Sequence, residues 1–123
     1  MATDPNRLAG TAYIAVDGQS YAIVGEGTYR PDQETRESLP GQDGIHGYKA
    51  MPAPGRISWR GRDQGGVSLK SLGDAGNVTI TLELANGKTV VGRNMWRVGD
   101  PLEVNTEEAT YEAAFEGPEV REH

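Results

Sequence analysis

Cysteine is absent from this chain of 123 residues. Without cysteine the protein has neither a disulfide framework nor thiolate chemistry. No apolar run approaches the ~20 residues that cross a bilayer, and the first ten residues, MATDPNRLAG, contain no apolar signal core. We therefore expect a chain that is made without a secretory leader and does not enter membranes.

Apolar side chains and positive charges are also scarce. Hydrophobic residues make up 36% of the chain and aromatic residues 7%, whereas glycine occurs 17 times and proline 7 times. The length fits a single domain, residues 1–123, but its core must be thin, so contacts between copies would bury apolar surface that one copy cannot. The formal net charge of −6 argues against a protein that grips nucleic acid or an anionic membrane through phosphate contacts, because acidic surfaces repel polyanions.

Alternating apolar and polar residues predict six or seven β-strands. Asp17-Gly18 and Asn86-Gly87 have the composition of two-residue hairpin turns, and the only plausible helix is a short one within residues 67–75. This pattern predicts a mainly β protein, an antiparallel β-sandwich or half-barrel with one short α-helix. The predicted strands are residues 11–17, 19–24 with a bulged continuation to 29, 56–62, 77–85, 88–96, 102–105 and 109–116.

Each clear strand has a row that should face the core and a row that should face away. The inward rows are Ile57 and Trp59; Val78, Ile80, Leu82 and Leu84; and Tyr111, Ala113 and Phe115. The outward rows are Ser58, Arg60 and Arg62; Thr79, Thr81 and Glu83; and Thr110, Glu112, Ala114 and Glu116. In the strand 88–96 the alternation puts Thr89, Val91, Arg93 and Met95 on one face.

Residues 30–55, RPDQETRESLPGQDGIHGYKAMPAPG, form a long segment with no helical period and many glycine and proline breaks. An irregular insertion of this length is uncommon in a small domain and usually either binds something or is disordered. This one also carries large apolar side chains that a solvated linker would not need. We predict an extended arm that docks on another copy and is disordered in the free chain. Residues 1–10 should be flexible, and residues 117–123 should be a polar tail.

Motifs for catalysis and for metal binding are missing. Gly87-Lys88-Thr89 resembles the end of a phosphate-binding loop, but Leu82 stands where that loop needs glycine. His46 lies near Asp43, yet the only other histidine is His123, too few for a metal site. Ser38 or Ser58 could in principle complete a hydrolytic site with His46 and Asp43, but no nucleophile-elbow pattern is present. We expect no enzyme activity, cofactor or metal.

Charged side chains in the strands fit a structural role better than a chemical one. Glu112 and Glu116 would lie roughly 13 Å apart along a strand, too far for paired acid–base work. The cluster Arg56, Arg60 and Arg62 lacks the aromatic partners of a nucleic-acid patch. We predict that these arginines pair with acidic residues of a neighbouring subunit.

Four segments in a fixed order, RLAGTAYIAVDGQSYAI, GQDGIHGYK, TITLELANGKTVVGRNMW and EATYEAAFEGP, resemble the tail tube protein family of contractile-tailed bacteriophages, the Mu-like branch. The resemblance covers residues 7–118. It implies a fold similar to the type VI secretion tube protein, with six copies in a ring that share a continuous inner β-barrel. Rings would stack into a tube inside a contractile sheath, and DNA would pass through the lumen.

The resemblance also implies partners and surfaces. The tube would belong to the virion, be assembled in the host cytoplasm, and contact sheath, baseplate or initiator, tail terminator and tape measure proteins. The arm would reach the neighbouring ring through Leu39, Pro40, Gly41, Asp43, Gly44, Ile45, His46, Tyr48 and Met51. The outward polar rows would line the lumen through Thr79, Thr81, Glu83, Thr110, Glu112 and Glu116.

Simple geometry agrees with a tube. Six copies with about four strands each give ~24 strands, a backbone diameter of about 50 Å and a lumen of roughly 40 Å. Two alternatives remain: a tube of a related contractile injection system that carries no DNA, and a small β-barrel module that binds a ligand. The module would be a monomer with an aromatic-lined cleft.

Overall fold

A computed structural model describes residues 6, 10, 12–65 and 68–123 of the chain. Nearly all of the predicted flexible segment 1–10, and Val67 at the start of the predicted helix, lie outside the described residues. The elements within them are β1 (Tyr13–Val16), β2 (Gln19–Tyr21), β3 (Ile23–Arg30), β4 (Gln33–Gly41), β5 (Gly44–Ala53), β6 (Gly55–Arg62), α1 (Leu69–Gly73), β7 (Val78–Glu83), β8 (Thr89–Arg97), β9 (Val104–Asn105), β10 (Thr110–Gly117) and β11 (Glu119–Glu122).

The strands form a nearly closed antiparallel sheet and a separate two-stranded ribbon. The sheet runs in the order β2-β1-β7-β8-β10-β6-β3, with β11 beside β8 and β9 beside β10, and the ribbon is β4-β5. Only Ala22 separates β2 from β3, the two ends of this order, so the chain itself bridges the seam. This confirms the predicted mainly β fold with one short helix. No helix in the described part of the chain is long and apolar enough to cross a membrane.

Strand β8 divides the sheet into two halves that share one core. Val90–Arg93 pair with β7 and β11, whereas Trp96 and Arg97 pair with β10. We call β2, β1, β7, the start of β8 and β11 the first sheet, and the end of β8, β10, β9, β6 and β3 the second sheet.

The inward rows of the two sheets meet in the core that the sequence predicts. Ile57, Ile80 and Phe115 have no exposed surface, and Trp59 and Leu82 are almost fully buried. The Trp59 and Phe115 rings stack with centroids 5.4 Å apart and planes 6° from parallel. Full burial of one such side chain stabilises a fold by about 1.5–3 kcal/mol, so these strands hold the body together.

A β-bulge near the end of β8 reverses which alternate residues of this strand face the core. The two steps along β7 from Val78 to Ile80 face three steps along β8, from Met95 to Gly92. Asn94 takes a φ of 54°, a left-handed conformation that asparagine tolerates better than most residues. As a result Met95 is buried, and the predicted row that joined Met95 with Thr89, Val91 and Arg93 was wrong.

The helix and the C-terminus also differ from the sequence prediction. α1 covers five residues rather than 67–75, with Ser68 accepting a hydrogen bond from the Ser71 amide at its start. Residues 119–122 are not a free polar tail: they form β11, and Val120 is fully buried beside Gly92 of β8. A single apolar residue in a strand of four gives too weak a period to detect.

The bulge gives the first testable prediction. Asn94→Val should lower the free energy of unfolding by about 1–2 kcal/mol, because a side chain with a β-branch is strained at positive φ. Asn94→Gly is the matched control and should leave stability within about 0.5 kcal/mol of the parent, since glycine adopts this conformation freely. Urea denaturation measures both, and equal stability of the two variants would contradict the bulge.

Candidate functional site

The arm predicted at residues 30–55 is a regular β-ribbon rather than an irregular segment. β4 and β5 pair over their whole length, from Gln33 opposite Ala53 to Gly41 opposite Gly44. The ribbon continues the hairpin of β3 and β6 beyond a break at Pro31 and Pro54. Every residue from 33 to 52 is exposed, so the ribbon projects from the body without packing on it.

The ribbon carries large apolar side chains that remain exposed, although the Arg36 guanidinium lies over the Tyr48 ring, 5.0 Å from its centroid. The exposed fractions are 71% for Ile45, 67% for Met51, 58% for Tyr48 and 41% for Leu39. A two-stranded hairpin without a third strand or a core is marginally stable in water. The arm is therefore the part of the molecule that most needs an external contact.

Asp43 and His46 brace the tip of the ribbon. Asp43 Oδ1 lies 2.6 Å from His46 Nε2, and this hydrogen bond lowers the pKa of the Asp43 carboxyl. A side chain at Gly41 would collide with the His46 ring, so glycine there lets the ring lie across the ribbon. His46 occupies a bulge, because Leu39 is opposite Gly47 while Pro40 is opposite Ile45. No group of acidic, histidine or cysteine side chains in the described residues could hold a metal ion.

A set of hydrogen bonds fixes the root of the arm to the body. The Asp32 amide donates to the Val120 carbonyl, and the Val120 amide donates to Asp32 Oδ1, both at 3.2 Å. The Arg30 guanidinium donates to the Pro54 carbonyl at 3.0 and 3.2 Å. A side chain at Gly55 would collide with Val120, so glycine at this position lets Val120 pack against the backbone. These contacts set the direction in which the arm leaves the barrel.

Sequence reasoning missed the root contacts. They join positions far apart in the chain, and their partner strand β11 was read as a tail. The one available signal was Val120, an isolated apolar residue between charged neighbours near the C-terminus.

The predicted basic cluster has acidic partners within the same chain. Arg56 Nη1 lies 3.1 Å from Glu116 Oε2, and Arg60 Nη2 lies 3.5 Å from Glu108 Oε2. Arg62 is exposed and lies opposite Thr110. Pairing with a neighbouring subunit is thus not needed to neutralise Arg56 or Arg60. The sequence could not show this, because the cross-strand register between β6 and β10 was unknown.

The predicted lumen residues lie on two different surfaces. Thr79, Thr81 and Glu83 are on the outward face of the first sheet, and Glu112 and Glu116 are on the outward face of the second. Because the inward faces share one core, the outward faces point away from each other, and one wall cannot contain both rows. Thr110 is only 3% exposed, so its assignment to a water-facing wall was wrong.

The second outward face is also not a bare acidic surface. Glu116 is bonded to Arg56, and Glu112 lies directly opposite Arg60. An open groove runs between this face and the segment 97–105, and its lining is mostly polar. The aromatic rings along it, Trp59 and Tyr111, are almost fully buried, which does not match the aromatic-lined cleft expected of a ligand-binding module.

Comparisons with known proteins point to one class of assembly. A family model described as phage tail tube protein matches residues 5–122, and no curated protein matches the sequence. Several solved structures share the fold at low sequence identity. The sheath/tube terminator of an extracellular contractile injection system in its extended state has a TM-score of 0.62 at 14% identity, over 91% of this chain and 92% of that chain.

Two further similar structures come from assemblies of the same kind. The cap that terminates the tube of the anti-feeding prophage has a TM-score of 0.62 at 9% identity, over 100% of this chain and 91% of that chain. A chain of the sheath–tube complex of an extracellular contractile injection system has a TM-score of 0.60 at 14% identity, over 91% of this chain and 87% of that chain.

The root contacts give the second testable prediction. Asp32→Ala should lower the free energy of unfolding by about 1–3 kcal/mol, because it leaves the amide of the buried Val120 without its acceptor. Asp32→Asn keeps a side-chain oxygen at the same place and should lose less than half as much. Chemical denaturation measures the stability, and amide hydrogen exchange at Val120 locates the effect. Unchanged exchange at Val120 in the alanine variant would contradict the assignment.

Proposed function

This chain belongs to the phage tail tube protein family, and we propose that six copies of it close into a ring and that the rings stack into a tube. The observation that carries the proposal is the arm. Residues 33–52 are fully outside the body and present four large apolar side chains, while the root contacts of Asp32 and Arg30 hold them in one direction. A directed, uncovered ribbon fits a contact with another copy.

The proposal that rings stack rests on the kind of contact that the arm would make with another copy. The arm and the body are different surfaces of one chain, so docking of an arm on another copy's body is a heterologous contact. Such contacts close into rings or continue as open assemblies. We propose that the ring contacts close and that the arm, through the residues predicted from Leu39 to Met51, provides the open contact along the tube axis. The arm is then an inter-ring element.

A structural role explains the features of this chain, and no catalytic chemistry is needed to explain them. Its family and the similar folds are tube proteins, and the one Asp–His pair in the arm braces a turn. The proposed partners are further copies, the sheath, the tail terminator, the baseplate or initiator and the tape measure protein. Support for sheath and terminator comes from similar folds solved in a sheath–tube complex and in terminators.

We propose that the outward face of the first sheet lines the lumen. Its row of Thr79, Thr81 and Glu83 is hydroxyl-rich, and the described residues offer Glu83 no ion pair, whereas the carboxylates of the other face lie against arginines. Arg93 and Arg121 lie on the same face and offset the charges of Glu83 and Glu119. The described part of this wall is therefore wet and has no net positive charge that would hold a polyanion. The cargo is DNA in a phage tail; the likeness to injection-system tubes supports the alternative of a tube that carries no DNA.

Assembly gives the third testable prediction. The purified chain should form rings or tubes as protein concentration rises, seen by sedimentation velocity and negative-stain electron microscopy. A variant in which Asn-Gly replaces residues 33–53 should keep the circular dichroism of the body and lose the tubes, because it lacks the contact along the axis. Tubes formed by this variant at the parent's concentration would contradict an inter-ring role for the arm.

The lumen assignment gives the fourth prediction, for which the natural absence of cysteine is useful. In a Thr79→Cys variant, a maleimide on a polymer wider than the expected lumen of roughly 40 Å should label dilute chain but not intact tubes. A small maleimide should label both, which is the control for thiol reactivity. Equal polymer labelling of tubes and dilute chain would place this face outside the tube.

A further inference from the structure

The two strands of the arm differ in their side chains. β4 carries Glu34, Arg36 and Glu37 in its first half, whereas β5 carries three of the arm's four large apolar side chains, Ile45, Tyr48 and Met51. Charged residues along a free strand are a common protection against unwanted strand pairing. Glu37 of β4 pairs with Lys49 of β5 at 3.1 Å, and Glu34 pairs with Arg36 within β4 at 3.2 Å. β4 therefore carries three charged side chains against the one lysine of β5, which makes β4 the better protected edge.

The backbone of β5 also offers free donors at its centre. Pro52 lies opposite Glu34, and because proline has no N–H, this must be a pair whose main-chain groups point away from the ribbon. Alternation then turns the amides of Ala50 and Tyr48 outward on β5. On β4 the same alternation turns the amides of Arg36 and Ser38 outward. Each edge thus has outward main-chain groups. On β5 they lie beside Tyr48, Lys49 and Met51, and on β4 they lie beside Arg36, Glu37 and Leu39.

We propose that the arm docks on a second copy of this chain through the outer edge of β5, which adds a strand to that copy's sheet, while β4 faces solvent. The inference rests on the proposed function. Strand addition fits this edge because main-chain hydrogen bonds supply affinity and alternate side chains supply specificity. Tyr48 and its neighbours would then be covered by the receiving copy.

The size of the edge argues for an identical copy as the partner. One strand edge with three large side chains is smaller than the ~800 Å² per partner of a stable pairwise interface. A contact this small holds when it is repeated around a closed ring, where each docked arm raises the effective concentration of the next. Each copy also brings a receiving edge, because β3 ends the body's sheet and pairs on one side with β6.

A matched pair of proline variants tests the edge. Ala50→Pro and Ser38→Pro each remove one outward amide, from β5 and β4 respectively, and each leaves the hydrogen bonds inside the ribbon intact. The full-length chain is used, with circular dichroism as the check on folding. Ala50→Pro should raise the protein concentration needed for tube formation about tenfold or more, whereas Ser38→Pro should change it by less than about threefold.

A second pair tests the side chains. Tyr48→Thr on β5 should raise the same threshold about tenfold or more, and Leu39→Thr on β4 should raise it less, because threonine keeps the strand preference and removes apolar area. Equal effects of the two strands, or normal assembly of Ala50→Pro and Tyr48→Thr, would overturn the inference while leaving the tube proposal intact. So would β5 variants that assemble normally and lose only the binding of sheath protein. A parent chain that never assembles would instead overturn the proposed function.

Discussion

One constraint governs this protein: a two-stranded ribbon has no interior. The body buries its apolar rows between two sheets, with Ile57, Ile80 and Phe115 fully enclosed. The ribbon of β4 and β5 has only surfaces, so its apolar side chains remain in water until another molecule covers them. Such ribbons are marginal alone. This shortage of cover supports the proposed role in self-assembly, which needs no catalytic chemistry and agrees with a family of structural tube proteins.

The ribbon is attached to a body in which the two sheets are joined at both seams. β8 belongs to both sheets through the bulge at Asn94, and Ala22 bridges the opposite seam. At the root of the arm, Asp32 and Val120 exchange two hydrogen bonds. The arm is about 30 Å long at the usual rise of a strand, so a rotation of about 10° at its root would move its tip by about 5 Å. The root contacts thus determine where the tip of the arm lies.

The sequence predicted the body well because one face of each body strand is buried. The alternation of Val78, Ile80 and Leu82 with threonines follows directly from that burial. The arm has no such alternation because neither of its faces is buried. The sequence therefore contained no sign that its two strands pair regularly. The bulge at Asn94 inverts the pattern of β8, and the partners of Arg56 and Glu116 depend on a register that local patterns do not contain. The lumen rows failed to meet on one wall for the same reason: alternation gives the face of a strand, not the sheet to which the strand belongs.

Amide hydrogen exchange of residues 33–53 in dilute chain and in assembled tubes tests the central claim most directly. If the ribbon takes its order from another copy, its amides exchange almost as fast as those of an unfolded peptide when the chain is dilute. They become protected when tubes form, β5 more than β4. Amides of β6 and β10 in the body serve as the internal standard and stay protected in both samples. Strong protection of the ribbon in dilute monomer would contradict the account, because it would show that the arm is complete on its own.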